Sequence, residues 1–209
     1  DPFTVSVTVN PLGQVDNPGD QEFCNNDNIS INFTTDNTGG DTTYSWTNTN
    51  SAIGLSNSGS GNINVTATNT TNDAITSTVT VIPSFEGCEG TPQTFTITVN
   101  PEPSIDNIEQ EVCTGSGISI TPTDGTIPVG TTYSWDAPAS SPSGVITGGN
   151  SGTDETTITE SELLNSTNSP AVLTYSVTPT TPDGCIGDPF TVSVTVNPLG
   201  QVDNPGDQE

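Results

Sequence analysis

The chain has 209 residues, of which 25 are Asp or Glu and none is Lys, Arg or His, for a formal net charge of −25. Without a cationic side chain there is no complement for nucleic-acid phosphates, no attraction to anionic membrane surfaces, no site for trypsin-like proteases, and no His or Lys base for nucleophilic catalysis. Hydrophobic residues make up only 28% of the chain, and no apolar run approaches the roughly 20 residues that span a bilayer.

Taken in order, the elements read as β almost throughout. Residues 1–10 (DPFTVSVTVN) alternate apolar and polar residues, the pattern of a half-buried strand. A Pro-containing link, PLGQVDNPGDQE, leads to Cys24, and strand patterns follow at ISINFT (29–34), TTYSW (42–46), INVTAT (63–68) and STVTVI (77–82). A Gly87-Cys88 pair precedes the closing pattern TFTITVN at 94–100. A second link, PEPSIDNIEQE, leads to Cys113, a second TTYSW at 131–135, VLTYSVT at 172–178, a Gly184-Cys185 pair and the closing FTVSVTVN at 190–197. Thr suits a pleated, half-solvated face, and clusters of Gly, Asn, Asp, Ser and Pro punctuate the runs. TESELLNS at 159–166 breaks the alternation and reads as a helical turn or a loop.

The order of landmarks repeats. Residues 1–22 recur letter for letter at 188–209, a period of 187 residues, and within that period the same features occur twice. The expected organisation is therefore 1–10 as the last strand of a preceding repeat, 11–100 and 101–197 as two related units, and 198–209 as the start of the next. About seven short strands per unit without helices imply an all-β fold of tandem immunoglobulin-like β-sandwiches, arranged as a rod.

Trp46 and Trp135, each two residues after Tyr44 and Tyr133, sit mid-strand and are expected in the two cores; the competing reading makes the indoles sugar-stacking platforms. The four cysteines, Cys24, Cys88, Cys113 and Cys185, fall one early and one late in each unit. The natural pairing is Cys24 with Cys88 and Cys113 with Cys185, each bridge adding about 4 kcal/mol and implying an oxidising, extracellular setting. Zinc is disfavoured by the lack of His and of a CxxC spacing. The links are acidic, with Asp16, Asp20 and Glu22, then Asp106, Glu109 and Glu111, then Asp203, Asp207 and Glu209. They are calcium candidates against the plainer reading of a solvated acidic surface, and no EF-hand spacing is present. No carboxylate pair sits in a pocket-like context, so no enzyme is expected.

The stretch NFTTDNTGGDTTYSWTNTNSAIGLSNSGSGNINVTATNTT, followed by VTVIPSFEGCEGTPQTFTITVNP, resembles the PKD-like, Ig-like repeats of giant Bacteroidota surface proteins. The second unit shares VCTGSG, TTYSW and GCIGDPFTVSVTVNP but departs in its middle. The resemblance implies a cell-surface adhesin exported by type IX secretion, of the SprB gliding-motility kind, and supplies no catalytic residues. Asp41-Thr42-Thr43 resembles an O-glycosylation motif of the same bacteria, with Thr42 as acceptor, and N-glycosylation sequons occur at Asn28, Asn32, Asn64, Asn69 and Asn165. The resulting expectation is a structural segment of a long extracellular filament or adhesin stalk. It would have no cofactor unless calcium, neighbouring repeats of the same chain as partners, and contact with a surface or polysaccharide made by other parts of the protein. It would bind no nucleic acid and insert into no membrane. The alternatives are a polysaccharide- or calcium-binding sandwich module, or a subunit of a self-assembling fibre.

Overall fold

A computed structural model describes residues 2–200, so part of the 198–209 segment lies outside the described residues. The chain forms two compact units, Asp1–Pro101 and Glu102–Glu209.

The strands of unit 1 are Gln21–Cys24 (β1), Asn28–Ile31 (β2), Thr42–Asn48 (β3), Ser58–Ser60 (β4), Ile63–Thr66 (β5), Ile75–Phe85 (β6), Cys88–Glu89 (β7) and Gln93–Asn100 (β8). One sheet runs β1-β8-β6-β3-β4, and β2 and β5 form the facing pair. β1 lies parallel to β8, with Gln21 opposite Ile97 and Cys24 opposite Asn100, whereas β6 is antiparallel to both β3 and β8. The alternating residues Val79 and Val81 of β6 and Phe95, Ile97 and Val99 of β8 point inward. They meet Ile29, Ile31 and Ile63 from the facing pair, the arrangement that strict period-2 patterning requires of a sandwich.

Unit 2 contains Ser104–Ile105 (β9), Ile108–Cys113 (β10), Ser116–Ile120 (β11), Gly125–Thr126 (β12), Thr132–Trp135 (β13), Ala139–Ser141 (β14), Ile146–Thr147 (β15), Gly152–Glu155 (β16), Ile158–Asn165 (β17), Ala171–Thr180 (β18) and Phe190–Asn197 (β19). Its main sheet, β10-β19-β18-β13-β16, repeats that of unit 1, including a parallel first-to-last pairing of β10 with β19. The facing sheet is β11-β17-β15. Both units are immunoglobulin-like β-sandwiches.

One expectation needs correction. TESELLNS is not a turn or a loop: Ile158–Asn165 is β17, paired with β11 and β15. Its alternation is masked by a register shift opposite Ser116 and Ile118, so the inward positions run 158, 160, 163 and 165. Gly117 lies at the irregularity, where an added Cβ would meet the carbonyls of Glu160 and Ser161. Residues 2–10, strand-like in pattern, adopt no strand. The same letters form β19 where they lie between β10 and β18. Phe190, Val192, Val194 and Val196 are at most 3% exposed, whereas Phe3, Val5, Val7 and Val9 are at least 70% exposed. A strand needs a paired neighbour as well as a pattern.

Candidate functional site

The tryptophan of the TTYSW motif is held in the same way in the two units. Trp46 and Trp135 are buried, and each indole N–H donates to a carbonyl fifteen residues on, that of Gly61 at 3.1 Å and that of Asn150 at 2.9 Å. A glycine of the adjacent strand, Gly59 or Gly152, lies flat against each indole, leaving no room for a side chain. Tyr133 is buried and stands edge-on to Phe190, while the half-buried Tyr44 packs on Phe33. Burial raises the pKa of both tyrosines. No indole face is left for a sugar ring to stack on.

The cysteines are placed differently from expectation. Cys88 and Cys113 carry free thiols, whereas Cys24 and Cys185 are disulfide-bonded. Neither bridge expected within a unit exists, and register explains why. Cys24 stands opposite Asn100 at one end of the β6–β8 ladder, whereas Cys88 pairs with Phe85 at the other. The intervening length of β6 is ten residues, or roughly 33 Å at the rise of a strand, and a disulfide needs Cα atoms within about 7 Å. Cys113 and Cys185 are separated in the same way along β18: Cys113 faces Asn197, and the carbonyl of Cys185 accepts from the Thr181 N–H at 2.9 Å.

The acidic candidates do not converge. Asp20, Glu22, Asp106, Glu109 and Glu111 are all exposed, and among the described residues no three acidic, His or Cys groups form a cluster able to hold a metal ion. Asp20 has another role. Its Oδ1 accepts from the Thr96 backbone N–H at 2.7 Å, at the edge of β8 just before β1 takes up the pairing. That bond holds its carboxyl below the ordinary value. Asn107 does the same for Thr191 in unit 2, at 2.7 Å.

The hydroxyl of Thr42 is buried and has no hydrogen-bond partner, which removes it from reach of a glycosyl donor. Two of the sequon asparagines are buried structural plugs. Asn69 Nδ2 donates to the carbonyls of Asp73 (2.9 Å) and Val99 (2.7 Å), and its Oδ1 accepts from the N–H and the hydroxyl of Thr71. Asn165 repeats every bond, to Ser169, Val196 and Thr167. The signal for this pair, Asn-x-Thr at matching distances before β6 and β18, is in the sequence but was absorbed into the sequon reading.

A further polar site, not anticipated, lies in unit 2. The buried Glu160 accepts from the Asn150 N–H (2.7 Å), the Asn150 amide (2.8 Å) and the Tyr175 hydroxyl (3.2 Å). Burial, then the adjacent Glu160 charge, pushes the Tyr175 phenol well above the ordinary tyrosine value. All three donors belong to the same unit, so this carboxylate is a structural acceptor. Among the described residues no helix is long and apolar enough to cross a membrane.

Comparison with known proteins gives the following. A search of curated protein sequences returns no match. Among solved structures, a Bacteroides ovatus mixed-linkage glucan utilization locus protein, SGBP-B in complex with a mixed-linkage heptasaccharide, is 14% identical over 89% of this chain and 48% of its own, with a TM-score of 0.30. The Clostridium thermocellum CbhA fibronectin(III)-like modules are 13% identical over 93% of this chain and 100% of theirs, with a TM-score of 0.32. The chicken CNTN1 FN1–FN3 domains are 12% identical over 90% and 65%, with a TM-score of 0.34. The chain spans about half the length of the first of these. At such values the likenesses carry nothing about ligand or partner. A family model for the PKD-like domain matches residues 21–103 and 110–200, one span on each sandwich. The chain thus belongs to the PKD-like domain family.

Proposed function

We propose that this chain is a spacer segment of a long extracellular filament, the stalk of a cell-surface adhesin, and that it is not an enzyme. The observation that carries the reading is the combination of an in-line chain path with sealed aromatic cores. In each unit an early strand, β1 or β10, runs parallel to the last, so the polypeptide comes in at one end of the sandwich and leaves at the other. The indoles that a glycan-binding face would display are turned inward. A composition of 25 Asp and Glu with no cationic side chain keeps such segments soluble and discourages lateral association. Disulfide-bonded Cys24 and Cys185 suit an oxidising exterior. Residues 1–10 are taken as the closing strand of a preceding unit, because the same letters close unit 2 as β19. The sequence resemblance favours a Bacteroidota adhesin exported by type IX secretion and serving gliding motility.

Electron microscopy of the native assembly tests the proposal. The expected image is a single-chain string of beads, one bead per unit. A helical fibre of several chains overturns the stalk reading in favour of self-assembly, and specific retention of the chain on an immobilised polysaccharide overturns it in favour of a binding module.

A further inference from the structure

Each unit carries one cysteine at its outlet end and one at its inlet end. Cys24 and Cys113 are the outlet positions: each is the last residue of the strand that runs parallel to the closing strand, β1 or β10, opposite the last residue of that closing strand, Asn100 or Asn197. Cys88 and Cys185 are the inlet positions. The Cys88 carbonyl accepts from the N–H of Gly13, in the link leading into unit 1, at 3.0 Å. Beside Cys185, Gly187 lies against the backbone of Pro103, in the link leading into unit 2. One cysteine of each kind is oxidised, the outlet Cys24 and the inlet Cys185, and one of each kind is a thiol, Cys113 and Cys88. Cys113 is exposed and Cys88 half-buried, so both are accessible. Neither can reach the other cysteine of its own unit, for the register reason given above.

We infer that Cys113 forms a disulfide with the copy of Cys88 in the next 187-residue period. Residues 198–209 repeat 11–22, so on the tandem reading the next unit would be a copy of unit 1, with an inlet cysteine of the Cys88 kind. Cys88 of this chain would correspondingly bond an outlet cysteine of the period before it. The two thiols would lose two protons and two electrons to the disulfide of a thiol–disulfide oxidoreductase, which leaves as a dithiol. Such bonds would clip units in series, across each period boundary, instead of bracing the interior of any one unit. The inference rests on the tandem reading of the sequence and is independent of what the filament does.

The test is a chain of two full periods, oxidised in a glutathione redox buffer, alkylated without reduction and digested at Asp and Glu under acid conditions that prevent exchange. The expected result is one cross-linked peptide pair joining Cys113 of the first period to Cys88 of the second, with two alkylated thiols per molecule instead of the four that two unlinked copies would show. Cys113→Ser in the first period alone should release one thiol, at the second-period Cys88. Four alkylated thiols in the parent chain, or release of Cys185 by that substitution, overturns the inference. The thiol count of the parent needs no variant to fold, and either outcome leaves the microscopy of the stalk untouched.

Discussion

Replacing Asn69 with Ala deletes a four-bond plug at the outlet end of unit 1. The two bonds to Thr71 lie near the surface, where water can replace them, so their loss costs little. The two bonds from Nδ2 are different: the side chain is 1% exposed, and the Val99 carbonyl it caps belongs to the buried part of the closing strand. Leaving those carbonyls without a donor costs about 1–3 kcal/mol, and the small void adds to it, for a total of about 3 kcal/mol. For a unit of this size, each kcal/mol moves the melting temperature by roughly 4–8 °C. Differential scanning calorimetry of the two-unit chain should therefore show one transition lowered by roughly 12–24 °C and the other unmoved. Asn165→Ala should lower the other transition instead. Asn64→Ala, at an exposed position, should shift neither by more than about 0.5 kcal/mol. A shift below about 4 °C for both plug variants would refute the assignment, since surface asparagines behave that way.

Four other outcomes are expected. Thr42→Val should stabilise unit 1 by about 1 kcal/mol in urea denaturation, because a buried hydroxyl without a partner is replaced by a methyl of the same shape; a loss of stability would mean the hydroxyl is satisfied. Gly152→Ala should destabilise unit 2 by about 1–3 kcal/mol and alter the near-ultraviolet dichroism of Trp135, whose ring the new methyl would meet. Asp20 has a folded pKa below its unfolded value of 3.8, so the stability it contributes is present above that value and lost as pH falls through the folded one. Asp20→Asn, which keeps the acceptor as Asn107 does, should leave stability at neutral pH unchanged and remove this acid-sensitive increment; an unaltered acid profile would count against the bond. Tyr175, raised above 10 by burial and then by Glu160, contributes stability that is full below pH 10 and declines above it. An absorbance titration should find one phenolate appearing only as unit 2 unfolds, and its appearance at an ordinary tyrosine pKa would contradict that packing.

The sandwich was legible in the sequence because its strands obey period 2: ISINFT and FTVSVTVN place their apolar residues on one face, and in STVTVI Val79 and Val81 share the inward face. The indoles were legible for the same reason. β17 was hidden by a one-residue slip that puts Ser161 and Glu162 outward in succession, which no alternation test tolerates. The cysteines misled because order along the chain says which unit holds a residue and nothing about which end. Only the register of β6 against β8 shows that an early and a late cysteine stand a strand's length apart. Asn69 and Asn165 were visible as a motif, but a sequon and a buried Asn plug share the same three letters.

The parallel pairing of β1 with β8, and of β10 with β19, has a mechanical meaning. Tension along the polypeptide draws β1 backward and β8 forward, so their hydrogen bonds are sheared together instead of being unzipped one at a time. Unit 1 resists with four paired positions, Gln21 to Cys24, and unit 2 with six, Ile108 to Cys113. The shear seam of unit 1 is therefore the shorter of the two, and because Cys24 ends β1 and is disulfide-bonded, that covalent bond takes part of any load that reaches the end of the strand.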